Sequence, residues 1–129
     1  MKAPDHRMET VRELDMPDND TYRLNKVMAR RGWAIYQIKF EYTDGKAWSV
    51  GIDGGRKDNR DFIMTTGEYI VRVTHEKLPQ RWYAGASVEF ETNKGRMISF
   101  HPYLATRQND QVVTYRADKG KEIIMLKIK

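Results

Sequence analysis

Beyond residue 35 the chain alternates apolar and polar side chains with the period of a strand that buries one face. Tyr36, Ile38, Phe40 and Tyr42 are separated by Gln37, Lys39 and Glu41, and Val88 and Phe90 stand between Ser87, Glu89 and Glu91. Both runs end in a turn signal, Thr43-Asp44-Gly45-Lys46 and Asn93-Lys94-Gly95-Arg96, where Asp or Asn and Gly tolerate the positive φ of a tight hairpin. Further short strands are expected over 61–65, 68–75, 112–116 and 122–128, bounded by Gly, Asp or Asn. No helical period is sustained past the N-terminal segment. Many short strands with regular turns predict an all-β sandwich, barrel or repeat-built fold.

The chain also repeats itself. Residues 87–100 (SVEFETNKGRMISF) lie on 37–50 (QIKFEYTDGKAWSV) without a gap at an offset of 50, setting Phe90 on Phe40, Gly95 on Gly45, Arg96 on Lys46 and Ser99 on Ser49. The same offset sets Arg81 on Arg31. A shorter third copy, at an offset of 88, places residues 117–129 on 29–41, with Gly120 on Gly32, Ile123 on Ile35 and Leu126 on Ile38. Three copies of a hairpin-bearing unit predict three similar sheets around one core. The third copy stops before its return strand, so the segment around 21–27 is expected to pair with the last strand and close an open edge.

Length and composition narrow the picture. The 129 residues, 40% of them hydrophobic, suit one domain with one core. With no Cys, disulfides and thiolate metal sites are excluded and no redox compartment is implied. The N-terminus lacks the apolar run of a secretory leader, and no stretch of about 18 apolar residues is present to span a bilayer. A soluble chain is expected, its compartment unknown. Charge is unevenly placed: residues 1–22 carry a net −3, leaving +8 on the remainder of a chain whose net charge is +5. Residues 1–22 read as a polar acidic arm ahead of a basic folded domain over 23–129, an arm able to join copies of the chain into a homo-oligomer.

Several motifs together resemble the jacalin-related lectins: GEYI at 67–70, FETNKGR at 90–96, the Gly54-Gly55 loop and a closing pattern that starts at Gly120. The resemblance covers about residue 24 to the C-terminus. It implies a β-prism of three four-stranded antiparallel sheets with pseudo-threefold symmetry, a carbohydrate-binding role and glycan partners; no Ser/His/Asp or paired-carboxylate arrangement suggests catalysis, and no cofactor is expected. Family members hold sugars in a G-x-x-x-D loop before the last strand, beside a Gly-Gly loop. Here that loop runs Gly120, Lys121, Glu122, Ile123, Ile124, so Ile124 stands where the sugar-binding Asp would be; the other copies have Tyr36 and Ala86. The letters G-x-x-x-D at Gly54–Asp58 are read as coincidence. The implied sugar contacts are therefore Gly54, Gly55, Gly120, Lys121, Glu122 and Ile123.

Two further features bear on function. If the copies are symmetric, the loops leading into equivalent strands gather Arg30, Arg31, Arg81, Lys119 and Lys121 at one end, with Arg56 and Lys57 nearby, a cationic patch suited to sulfated or uronic-acid glycans or else ordinary solvated charge. Trp33, Trp48 and Trp82 are candidates to stack on a sugar or to line the core rim. His6, His75 and His101 have no metal-ligand spacing. The leading expectation is thus a lectin-like module, with anionic glycans favoured by the lost Asp. The alternative is a structural or assembly subunit that binds no sugar. Nucleic acid is not an expected partner, because no interleaved aromatic and basic strand pattern is present.

Overall fold

The alternation expected for residues 36–42 is seen from Ile38 onward: Ile38, Phe40 and Tyr42 are buried, while Lys39 and Glu41 face partly outward. Its phase breaks at the start, where Ile35 takes the inner face and Tyr36 is only half-buried. A computed structural model describes residues 11–13, 23–78, 83–102 and 112–126. These form eleven strands and no helix: β1 (Val11–Glu13), β2 (Leu24–Arg31), β3 (Ile35–Tyr42), β4 (Ala47–Gly51), β5 (Arg56–Lys57), β6 (Phe62–Ile63), β7 (Ile70–Glu76), β8 (Ser87–Thr92), β9 (Met97–Phe100), β10 (Val112–Arg116) and β11 (Lys121–Ile123). Among the described residues no helix is long and apolar enough to cross a membrane.

The repeat is visible in the hydrogen bonds. In the β3–β4 hairpin, Tyr42 N donates to Lys46 O (3.0 Å) and Gly45 N to Tyr42 O (3.0 Å); in β8–β9, Thr92 N donates to Arg96 O (2.9 Å) and Gly95 N to Thr92 O (3.0 Å). Gly45 and Gly95 have φ of 88° and 82°, the left-handed region that other residues enter at a cost. The two sheets share one plan. β2 is flanked by β3 on one side and by β5 and β6 on the other, while β7 is flanked by β8 and by β10 and β11. The equivalent Phe40 and Phe90 meet edge to face, 6.0 Å apart, and Phe90 continues to Phe100 at 6.3 Å, so the core is built where the copies converge. Where the sequence suggests three sheets, the described residues form two hydrogen-bonded antiparallel sheets, of five and six strands.

The closing pair differs from expectation. β2 does not pair with the last strand, because both its edges are already taken by β3 and by β5 and β6. Instead Val11–Glu13 supplies the partner, with Val11 opposite Ile123 and Glu13 opposite Lys121. The chain after β11 is tied to the first sheet through side chains: Tyr42 Oη donates to Ile124 O (2.7 Å) and Trp48 Nε1 to Leu126 O (2.8 Å). Trp48 is thus at the core rim. Losing a buried donor strands the carbonyl it served, so Tyr42→Phe is expected to cost about 1–2 kcal/mol in urea unfolding; an unchanged midpoint would show this tie to be dispensable.

The GEYI and TNKGR motifs form one clasp. Asn93 Oδ1 accepts from Tyr69 N (2.9 Å), Asn93 Nδ2 donates to Gly67 O (3.1 Å) and Lys94 Nζ to Thr66 O (2.7 Å). The Glu68 carboxylate, buried beneath them, accepts from Thr65, Thr92 and Arg96.

Candidate functional site

At the end of the sheets away from the hairpin turns, two equivalent loops meet. Residues 33–34, between β2 and β3, correspond to 83–84, ahead of β8. They are joined by an antiparallel bridge, in which Ile35 N donates to Gly85 O (2.8 Å) and Ala84 N to Ile35 O (2.8 Å). His75 Nε2 lies 2.6 Å from Ala84 O, a carbonyl that can only accept, so this nitrogen carries the hydrogen, and burial lowers the pKa of the ring. Gly51 seals the other side. It has φ 96°, and a Cβ there would lie 2.0 Å from Tyr36 O, so only Gly lets the strands approach this closely.

The bridge brings three aromatic rings together. Trp33 and its repeat equivalent Tyr83 pack edge to face at 4.8 Å, Tyr36 lies 5.1 Å from Tyr83, and Trp33 and Tyr36 are 6.5 Å apart. Trp33 is nonetheless 45% exposed. An indole held by neighbouring rings and left open to water is a preformed apolar surface on which the C–H face of a sugar ring can stack.

The Gly54-Gly55 loop borders this cluster. A Cβ on Gly54 would lie 3.0 Å from the Tyr36 ring, and one on Gly55 would lie 2.7 Å from Arg31 O. Arg30 holds the loop from below, donating to Gly54 O and Gly55 O, each at 3.0 Å. Gln37 Nε2 donates to Asp53 Oδ1 (3.1 Å), which positions an exposed carboxylate directly ahead of the glycines. Asp58 anchors the far end: fully buried, it accepts from Arg60 through Nε, Nη2 and the backbone N (2.9–3.0 Å) and lies 3.0 Å from Arg31 Nε. These arginines, Arg60 foremost, hold its pKa at about 2.

The expected site residues divide into two groups. Arg30, Arg31, Arg56 and Lys57 are brought together, with Arg30 opposite Lys57 and Arg31 opposite Arg56 across the β2–β5 pair. Much of this cationic cluster is employed internally: Arg30 on the glycine loop, Arg31 beside Asp58, and Lys57 on Asp61 at 2.7 Å. Arg56 is exposed. Arg81 and Trp82 lie outside the described residues. Gly120–Ile123 is at the other end of the molecule from Gly54 and Gly55, since Ile123 pairs with Ile70 beside the hairpin turn and Ile124 O meets Tyr42. Gly120 and Lys119 are exposed there, and Lys121 is half-buried. Glu122 is only 1% exposed, with Arg23 Nη1 3.5 Å from its carboxylate, and Ile123 and Ile124 belong to the core. No group of three or more metal-ligating side chains occurs among the described residues. The sequence named Trp33 but not Tyr36 or Tyr83 as its partners; the signal available was that 33 and 83 are the same position of the repeat.

The family model of the jacalin-like lectin domain matches residues 11–127. The chain belongs to that family. The match takes in β1, ahead of residue 23. No curated protein matches the chain. Among solved structures, this jacalin-like lectin domain resembles a lamprey immune protein (TM-score 0.59, 16% identity, 87% of this chain and 34% of that one). It also resembles a substituted form of Malaysian banana lectin (0.55, 16%, 89% and 74%) and a mannose-binding jacalin-related lectin from Ananas comosus (0.49, 23%, 74% and 65%). The chain therefore spans about a third of the lamprey protein's length. For the lamprey and banana proteins, at 16% identity, the likeness shows the fold alone.

Proposed function

We propose that the chain is a carbohydrate-binding lectin module whose sugar-contacting surface is the aromatic end formed by Trp33, Tyr36 and Tyr83 beside Gly54 and Gly55. Membership of a lectin family supports the class of ligand, and the observation that carries the location is the exposed Trp33, packed edge to face on Tyr83, which in turn packs on Tyr36. A sugar ring stacks on the indole, backbone groups of the glycine loop meet its hydroxyls, and Asp53 accepts from one of them. Arg56, with Arg30 and Lys57 close by, favours glycans bearing sulfate or carboxylate, because charge-assisted hydrogen bonds are the stronger ones. A neutral monosaccharide binds only in about the millimolar range on these contacts. Binding without turnover fits this surface.

The burial of Glu122, Ile123 and Ile124 favours a second reading, a lectin-like domain that serves as a structural subunit. A glycan array at low and moderate salt separates the two. Trp33→Ala is expected to weaken retention on the best array ligand by up to about tenfold, since aromatic contacts contribute roughly 0.5–1.5 kcal/mol beyond the area they bury. Its melting temperature should stay near the parent's, because Trp33 is half exposed. Unchanged retention would move the site elsewhere, and a parent that binds no glycan would put the structural reading first.

A further inference from the structure

The carbonyls of the glycine loop are spent inside the molecule. Arg30 Nε donates to Gly54 O and Arg30 Nη2 to Gly55 O, each at 3.0 Å, so one guanidinium fork takes both. On β2, Arg30 stands between Gln37 of β3 and Lys57 of β5. Neither neighbour competes for the loop, since Gln37 donates to Asp53 (3.1 Å) and Lys57 to Asp61 (2.7 Å). The Tyr36 ring and the Arg31 backbone, against which the two glycines pack, hold the loop in this orientation.

Peptide geometry then fixes what the loop shows to solvent. No cis peptide bond occurs among the described residues, and in a planar trans peptide the C=O and the following N–H point in opposite directions. The Gly54 carbonyl faces Arg30, so the Gly55 N–H of the same peptide faces away from it. Gly55 is exposed, and its N–H has no hydrogen-bond partner among the described residues. A cation on the carbonyl polarises the peptide and makes this N–H a stronger donor. Next along the chain stands Arg56, exposed and without an ion pair among the described residues. The opposing charge is Asp53, which gives one oxygen to Gln37, and Arg30 and Arg56 together outweigh it.

We infer that Arg30 is a positioning residue that sets the polarity of the glycine loop. By taking the loop's carbonyls it leaves a donor face, the Gly55 N–H beside Arg56, which selects an anionic oxygen, of sulfate or carboxylate, on the bound glycan. The inference rests on the aromatic end being the sugar-contacting surface, and it assigns the anionic preference to the orientation of the loop rather than to the number of cations nearby. A sugar hydroxyl both donates and accepts, whereas sulfate and carboxylate oxygens only accept, so a face of donors tells them apart. Exposed backbone N–H groups hold anions in the same way in other loops.

Calorimetric titration of the full chain with galactan oligosaccharides of one length, in neutral, sulfated and uronate forms, tests this. The parent is expected to bind at least one anionic form about tenfold or more tightly than the neutral one, the effect of a single charge-assisted hydrogen bond, and the form preferred names the anion. Arg30→Lys keeps the charge but not the planar fork, and should bring the ratio of anionic to neutral affinity to within about threefold of unity. In the parent, the Gly55 amide resonance should shift on titration with the preferred anionic form and hold its place with the neutral one, a readout that requires no variant to fold. A parent ratio near unity, an Arg30→Lys ratio equal to the parent's, or an unmoved Gly55 amide overturns the inference. If Trp33→Ala still weakens binding in any of these cases, the aromatic site stands and only the polarity of its loop is wrong; if it does not, the site itself lies elsewhere.

Discussion

Glu68→Ala is expected to destabilise the fold by about 3 kcal/mol, more than any surface substitution in this chain. The carboxylate is fully buried and takes five donors: Thr65 N (2.9 Å) and Oγ1 (3.0 Å), Arg96 Nη2 (2.7 Å) and Nε (2.8 Å), and Thr92 Oγ1 (2.6 Å). Removing one partner of a buried ion pair costs roughly 3–5 kcal/mol, because the other charge is left without compensation. Here the low end applies. Arg96 is 45% exposed and lies over the Phe62 ring at 4.7 Å, so the orphaned guanidinium can still reach water. Thr92 cannot, and its stranded hydroxyl keeps the penalty from vanishing. Glu68→Gln, which preserves shape but not charge, should lose about half as much. Urea unfolding at neutral pH measures both, and a loss below about 1 kcal/mol for the Ala variant would show that the clasp does not hold the hairpin to the β6–β7 loop.

The same carboxylate gives a pH signature. Arg96 holds the Glu68 pKa well below the usual carboxylate range. A depressed folded-state pKa contributes stability that is present above the unfolded-state value, near 4, and is lost as pH falls through the folded one. Stability should therefore be flat at neutral pH and decline below about pH 4, with Glu68→Gln declining less because it has already lost the term.

What could be read in the sequence was whatever depended on local chemistry. The hairpins were legible because Gly45 and Gly95 each answer a positive φ, and the offset of 50 because both sheets bury the same positions, Phe40 and Phe90 among them. GEYI and TNKGR were legible as motifs but not as a clasp, since Asn93 and Lys94 reach across 26 and 28 residues to Gly67 and Thr66. The closing strand was misplaced because the truncated third copy shows that a partner is missing but not that both edges of 24–31 are already taken. The aromatic end was hidden for a related reason: Trp33 and Tyr83 are single residues in separate loops, and only the Ile35–Gly85 bridge makes them neighbours. Glu122 looked like a surface carboxylate because its spacing from Gly120 fits the sugar loop, whereas β11, paired with β1 and β7, turns it inward beside Arg23.

Asp58→Ala should cost about 2–3 kcal/mol and weaken glycan binding without touching the ligand. Asp58 joins three parts of the molecule. Its backbone N donates to Ala29 O (2.9 Å), its carboxylate holds Arg60, and Arg60 Nη2 donates onward to Ser99 O (3.0 Å) while its guanidinium lies over Phe100. Arg31, beside the same carboxylate, reaches His101 O (3.3 Å) and carries the backbone against which Gly55 packs. The stability figure follows from the pKa: a carboxyl held at about 2 instead of 3.8 favours the charged folded form by about 2–3 kcal/mol. The sign places the loss on the acid side, beginning near pH 4 and complete only below about pH 2, the depressed folded value. The loss of binding follows from position, since a freed Arg31 and Arg60 no longer fix the loop that packs on Tyr36. Asp58→Asn keeps an acceptor for the Arg60 backbone and should recover part of the stability and most of the binding, which separates loop placement from charge. Isothermal titration of the best array ligand against parent, Ala and Asn variants provides the test. Equal affinities in all three, together with an intact Trp33 effect, would show that the glycine loop needs no anchor to take its ligand.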